Sequence, residues 1–170
     1  GHEKIGFLGC ANISWARTEF SSYCEALLYH NLEIDLRAKV DLDKEKMSQF
    51  EFNNDDSIEI IDTKTVEKVE GLIEKGYRAW ACVSNESAYL LCSKLSKRGY
   101  KIPDDVSVSG FLNSIQPRDS MPAITCVNVS CKQMGIEALK MLLDSGDSNR
   151  CFGRELRLNC TLFEGKSVGQ

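Results

Sequence analysis

A chain of 170 residues with a formal net charge of −4 is one domain's worth of sequence, long enough to bury roughly 70% of the surface its unfolded form exposes. The acidic balance argues against a nucleic-acid surface, which needs clustered Lys and Arg to displace phosphate counterions. No run of 18 apolar residues offers a membrane span, and no basic start followed by an apolar core marks a secretion signal.

Residues 4–9, KIGFLG, read as a short buried strand ending in glycine. A helix follows, with Phe20, Cys24, Leu27 and Leu28 at helical spacing and Asn31 at its end. Residues 36–42, LRAKVDL, alternate and predict a second strand. The segment 41–62 carries eight acidic and two basic residues and reads as a solvated excursion. Val66, Val69 and Ile73 mark a helix stopped at Gly76, and AWACVS (79–84) a further buried strand.

The next helix is the clearest. Ala88, Leu91, Cys92 and Leu95 share one face, and Gly99 is placed to close it with positive φ. A strand over 105–111 follows, then a loop, then an alternating strand over 124–129. Ser130 and Gln133 have capping-box spacing for a helix over 130–143 lined by Met134, Ala138, Met141 and Leu142. A last strand lies near 155–163. Strand and helix alternating in this way predict an α/β fold, a parallel sheet flanked by helices on both faces with right-handed crossovers.

The eight cysteines form no CxxC pair, so neither a zinc knuckle nor a thioredoxin-like motif is supported. Most sit among apolar neighbours, which favours reduced buried thiols in a cytoplasmic protein over disulfides in a periplasmic one. His2 and His30 are the only histidines, and no Gly-x-Ser-x-Gly elbow, Walker loop or metal spacing appears, so catalysis is not expected. No cofactor or metal is expected either.

Several stretches carry a resemblance. Ile102-Pro103-Asp104-Asp105-Val106-Ser107-Val108 is the closest match, followed in order by Pro122-Ala123-Ile124-Thr125 and by Met134-Gly135 with Ala138. Gly1-His2-Glu3-Lys4-Ile5-Gly6, Arg17 with Phe20, and Ser84-Asn85-Glu86-Ser87-Ala88 precede them. In this order and spacing they resemble the C-terminal half of the effector domain of the lac repressor/galactose repressor (LacI/GalR) transcriptional regulators. Glu19 stands where that pattern has glycine, and the excursion near 44–60 is not covered.

The resemblance implies one lobe of a two-lobed, type I periplasmic-binding-protein-like fold. Residues 1–122 and 152–170 would form the C-terminal lobe, and 123–151 would be a strand and helix belonging to a first lobe that the sequence lacks. The helix 130–143 would then need a substitute surface, on its own lobe or on another chain. It further implies an effector-sensing and dimerisation role, with operator DNA contacted only through a separate headpiece. The partners would be a small-molecule effector and a second copy of the chain, paired through the helix bearing Ala88, Leu91, Cys92 and Leu95. A fragment of a periplasmic solute-binding protein of the same fold is the alternative.

In open α/β sheets ligands sit beyond the carboxyl ends of the strands. Arg17 follows the first strand, Leu42 the second, Ser84 and Asn85 the third, and Leu112 the fourth. By the resemblance Arg17 would offer the effector its planar fork of donors, the alternative being a surface arginine paired with Glu19 or another acid. Relatives place an aromatic at the position of Leu42 and aspartates at those of Asn85 and Leu112. A leucine accepts no hydrogen bond, and each buried hydroxyl left without a partner costs roughly 1–3 kcal/mol. Either the ligand is less hydroxylated than an ordinary sugar, for instance an anion held by Arg17, or the pocket has lost small-molecule sensing, and the first reading is slightly favoured. Asn12, Trp15 and Asn113 are further pocket candidates, Trp15 being equally suited to plugging the helix start.

Overall fold

The computed structural model describes residues 1–10, 14–43, 45–46, 59–111, 122–143 and 155–169, and of Trp15 the backbone alone. Their strands are β1 (Ile5–Gly9), β2 (Lys39–Asp41), β3 (Ala79–Cys82), β4 (Ser107–Phe111), β5 (Thr125–Asn128) and β6 (Thr161–Phe163). The helices are α1 (Ser14–Tyr29), α2 (Thr63–Ile73), α3 (Asn85–Lys97) and α4 (Cys131–Leu143). The strands make one six-stranded sheet in the order β2-β1-β3-β4-β5-β6. Every pairing is parallel except that of β5 with β6.

Residues in register across the sheet point to the same side. Leu8 pairs with Val40 and Cys82, and Trp80 with Val108, which joins these side chains on one face; Gly110 and Cys126 continue it. Phe7, Ala81 and Ser109 lie on the other. Phe7 meets Phe20 and Tyr23 of α1, at ring separations of 5.1 and 5.2 Å. Gly110 meets Asn85 and Ala88 of α3. Helices thus flank both faces, as the alternation of strand and helix predicts.

The core lies between the sheet and α2 and α3. Val66 and Val69 of α2, Leu91, Cys92 and Leu95 of α3, and Val40, Trp80 and Val108 of the strands are all buried. Asp62 caps α2 by accepting from the Thr65 amide at 2.9 Å. Gly76 and Gly99 follow α2 and α3 with φ of 95° and 96°, and Asn31 follows α1 at 56°, so the expected stops hold.

Several expectations change. The stripe of α1 that faces the sheet runs through Ala16, Phe20, Tyr23 and Leu27, while Leu28 is 61% exposed. Residues 36–38 form a 3₁₀ turn, because Asp35 accepts from the Arg37 amide, and β2 is correspondingly short. Only Thr161–Phe163 of the last predicted strand is extended in the sheet. At Ser130 half of the capping box forms: its hydroxyl accepts from the Gln133 amide, while the Gln133 side chain donates to Glu137 at 2.7 Å.

Within 123–151 the described residues divide in two. Residues 125–128 pair with β4, and Ile124 and Cys126 are buried, so this strand belongs to the same sheet as β1–β4. Helix α4 buries none of its residues; Leu139, Leu142 and Leu143 are among its exposed side chains. It therefore folds neither onto its own lobe nor onto other residues of the described chain.

Candidate functional site

Because β1, β2, β3 and β4 run parallel, their carboxyl ends share one rim, and the helices that follow them start there. Arg17 lies in the first turn of α1 with its side chain exposed to solvent. Ser84 and Asn85 open α3. The structure therefore brings Arg17, Ser84 and Asn85 to the same end of the sheet. Leu112, Asn113 and Asn12 lie outside the described residues, as does the side chain of Trp15.

Leu42 reaches the rim but not the solvent. Its amide donates to the Gly9 carbonyl at 2.6 Å, and its side chain, 4% exposed, joins the core. It offers a ligand no open surface, which corrects the expectation for this position.

Ser84 starts the helix. Its hydroxyl accepts from the Ser87 amide at 3.1 Å, and the Ser84 amide donates to the Ser87 hydroxyl at 3.1 Å. This reciprocal cap satisfies two donors that a helix N-terminus would otherwise leave open. Both serine hydroxyls are engaged in this cap, which fixes the start of the helix and the residue that follows Ser84.

That residue is Asn85. It is 5% exposed, and its Oδ1 has no hydrogen-bond partner among the described residues. A buried amide oxygen without a donor costs about 1–3 kcal/mol. The first turn of α3 approaches β4 so closely that a Cβ on Gly110 would lie 2.9 Å from Oδ1 and 3.0 Å from the Asn85 Cα. Gly110 is the residue that reasoning from sequence missed, although a glycine inside a strand is itself a sign of close approach by another backbone. Beneath this corner, burial pushes the Cys92 thiol up to about 12 and raises that of Cys82 as well, so neither is a nucleophile at neutral pH.

The four side chains expected to pair two copies sit elsewhere. Ala88, Leu91, Cys92 and Leu95 are each 0% exposed, enclosed by this chain's own core. Helical spacing marked the face that packs on the sheet, and a partner can meet only the remaining faces of α3. Two concavities, about 380 and 760 Å³, open at the far end of the sheet. Arg78, Arg98 and Asp105 line the smaller, and His2, Asp104 and Lys166 the larger. Neither touches the rim. Among the described residues no group of three metal-ligating side chains lies together, and no helix is long and apolar enough to cross a membrane.

A family model described as a periplasmic binding protein-like domain matches residues 1–168. The chain belongs to this family. The HTH-type transcriptional repressor PurR of Mannheimia succiniciproducens is 26% identical over 145 residues, which are 85% of this chain and 39% of that protein. A putative transcriptional regulator LacI from Bacillus cereus subsp. cytotoxis superposes with a TM-score of 0.77 at 22% identity, over 99% of this chain and 55% of that one. A LacI family transcriptional regulator from Enterococcus faecium with bound ribose superposes at 0.71 and 18% identity, over 99% and 57%. The chain spans about half the length of these relatives. The periplasmic-binding-protein-like lobe and the likeness to LacI/GalR regulators that the motifs implied are thereby borne out.

Proposed function

We propose that this chain is the effector-sensing lobe of a LacI-type transcriptional regulator, taking a small molecule at the rim where α1 and α3 begin. The observation that carries the reading is Asn85, whose buried Oδ1 waits for a donor at the carboxyl end of the sheet. Arg17 supplies donors from the neighbouring helix, suited to an anionic or carbonyl-bearing group. Such a site takes a ligand with a donor on one side and an acceptor on the other. Leu42 contributes packing beneath it rather than contact.

The apolar side chains that α4 leaves in solvent support a second element of the reading. In a longer protein they would lie against an opposing lobe, which closes the cleft over the rim. Effector would then favour one arrangement of the lobes and bias DNA-binding headpieces paired through a dimer of such chains. The exposed faces of α3 remain available for that pairing. The repressors among the relatives favour a cytoplasmic regulator, and no catalytic role, over the solute-binding alternative.

Calorimetry on the full-length regulator tests the site, with ribose 5-phosphate as the anionic probe and ribose as its uncharged counterpart. Ribose 5-phosphate is expected to bind the more tightly, and Arg17→Ala and Asn85→Ala are each expected to weaken it at least tenfold without lowering Tm. Unchanged affinity in Arg17→Ala would remove this residue from the site.

A further inference from the structure

The segment 165–169 does not simply trail from β6. It runs between the lower ends of β4 and β5, below the register in which Ser109 pairs with Thr125. The Val108 amide donates to the Ser167 carbonyl at 2.7 Å, and the Lys166 amide donates to the Ala123 carbonyl at 2.7 Å. Backbone on either side is thus joined through this segment rather than strand to strand.

One side chain completes the junction. Ser167 is 0% exposed. Its hydroxyl donates to the Val108 carbonyl at 2.5 Å and accepts from the Thr125 amide at 2.9 Å. The Thr125 hydroxyl accepts from the Gly165 amide at 3.1 Å, and the Ser107 hydroxyl accepts from the Gly169 amide at 3.0 Å. Position 165 must be glycine for this path, since a Cβ there would fall on the Ala123 carbonyl and on the Ile124 backbone.

The unit that this segment ties down is weakly held otherwise. From Pro122 onward the only buried apolar side chains among the described residues are Ile124 and Cys126. The register to β4 consists of Ser109 with Thr125, Gly110 with Cys126, and Phe111 with Val127. Polar bridges therefore carry an unusual share of the attachment. Nothing comparable is needed between β1 and β3, where buried Phe7, Leu8, Trp80 and Cys82 pack in register.

We infer that residues 165–169 are a latch, which holds β5, β6 and the crossing to α4 on the sheet, and whose release opens that unit while β1–β4 stay folded. The chain then has two cooperative parts with different opening free energies. Since α4 is reached only through β5 and the return is made through β6, the latch sets how firmly the apolar α4 is held relative to the lobe. The device works whichever ligand the rim takes.

Native-state hydrogen exchange separates this from a single cooperative fold. The Thr125 amide reports the latch, and the Val83 amide, bonded to the Leu8 carbonyl at 2.9 Å, reports β1 and β3. A variant in the persistent part, Val69→Ala, should speed exchange at Val83 roughly tenfold or more and leave Thr125 within twofold, because the opened state keeps that part folded. Ser167→Ala should speed both, as its bonds are lost in either opening, and Lys166→Ala, which alters only an exposed side chain, should speed neither. Equal acceleration of both amides by Val69→Ala overturns the latch, as does an unchanged Thr125 in Ser167→Ala. Should Val69→Ala fail to fold, urea makes the same distinction in the unaltered chain. A shallow dependence at Thr125 beside a steep one at Val83 supports the latch, and equal slopes overturn it.

Discussion

The Oδ1 of Asn85 lies 2.9 Å from the point that a Cβ on Gly110 would occupy. A residue of the candidate site and a residue of the sheet thus share one steric constraint. The reciprocal serine cap fixes where α3 starts, and the missing side chain at Gly110 lets that start descend onto β4. Replacing Gly110 by alanine should therefore cost about 1–3 kcal/mol, the usual range for forcing an extra methyl into a packed interior. Urea unfolding measures it. Because the Asn85 Cα is as near as its side chain, Asn85→Ala should relieve only part of the loss. Full relief would mean that the amide alone, not the helix, is displaced.

Two leucines at the same helical spacing should behave in opposite ways. Leu91 on α3 is 0% exposed, whereas Leu142 on α4 is 73% exposed. Leu91→Ala should cost about 2–5 kcal/mol, through lost burial and the cavity left behind. Leu142→Ala should stay within about 0.5 kcal/mol, because nothing in this chain covers it. Denaturant midpoints on the isolated chain decide the comparison. A large loss at Leu142 would show that α4 has found a surface in solution.

The contrast also marks what the sequence could disclose. Periodicity placed Leu91 and Leu142 on apolar faces equally well, since it reports that a face is apolar and not what covers it. Strand order, the stops at Gly76 and Gly99, and the parallel sheet were legible because each has a local chemical cause. The neighbour of the strand over 124–129 was not, since that stretch alternates like any strand and only its pairing with β4 shows which sheet it joins. At the rim, the rule that ligands meet strand ends picks out Arg17 and Asn85 as candidates, and both lie at that end of the sheet. Leu42 misled because that rule gives a position along the strand, while the two-residue alternation from buried Val40 puts its side chain inward. Ala88, Leu91, Cys92 and Leu95 misled in the same way: the strongest apolar stripe on a helix is claimed by its own core first.

Tyr77 and Asp35 make a surface pair that should shape stability at both ends of the pH scale. The Tyr77 hydroxyl donates to Asp35 at 2.5 Å, and the Arg37 side chain and amide donate to the same carboxylate. Bonds from Arg37 first, then Tyr77, hold the Asp35 carboxyl well below its ordinary range, while the bond to Asp35 raises Tyr77. A depressed carboxylate stabilises the fold above its ordinary value, near ~3.9, and that contribution is lost as pH falls through the folded-state value. A raised phenol stabilises below its ordinary value, near ~10, and that contribution is lost as pH rises through the folded-state value. Tyr77→Phe should therefore lower Tm most between these limits, with the gap to the unaltered chain narrowing in acid and in strong base. A gap independent of pH would mean that the hydroxyl contributes packing and not this bond.

The cysteines should divide by burial when alkylated. Cys131 and Cys160 are exposed, whereas Cys10, Cys82, Cys92 and Cys126 are buried. The thiolate is the attacking species, so reactivity needs both access and ionisation. Burial holds Cys92 up to about 12, which at pH 8 leaves about one thiol in ten thousand ionised before access is considered. Iodoacetamide at pH 8 should thus label Cys131 and Cys160 first, with Cys82 and Cys92 following only on unfolding, as peptide mapping by mass spectrometry would follow. Burying those two thiols is what the apolar face of α3 requires, since Cys92 shares it with Leu91 and Leu95 and packs over the strand that carries Cys82. Rapid labelling of Cys92 at a denaturant concentration where the Val83 amide remains protected would show that α3 lifts from the sheet by itself, and would remove the rigid seat that places Asn85 at the rim.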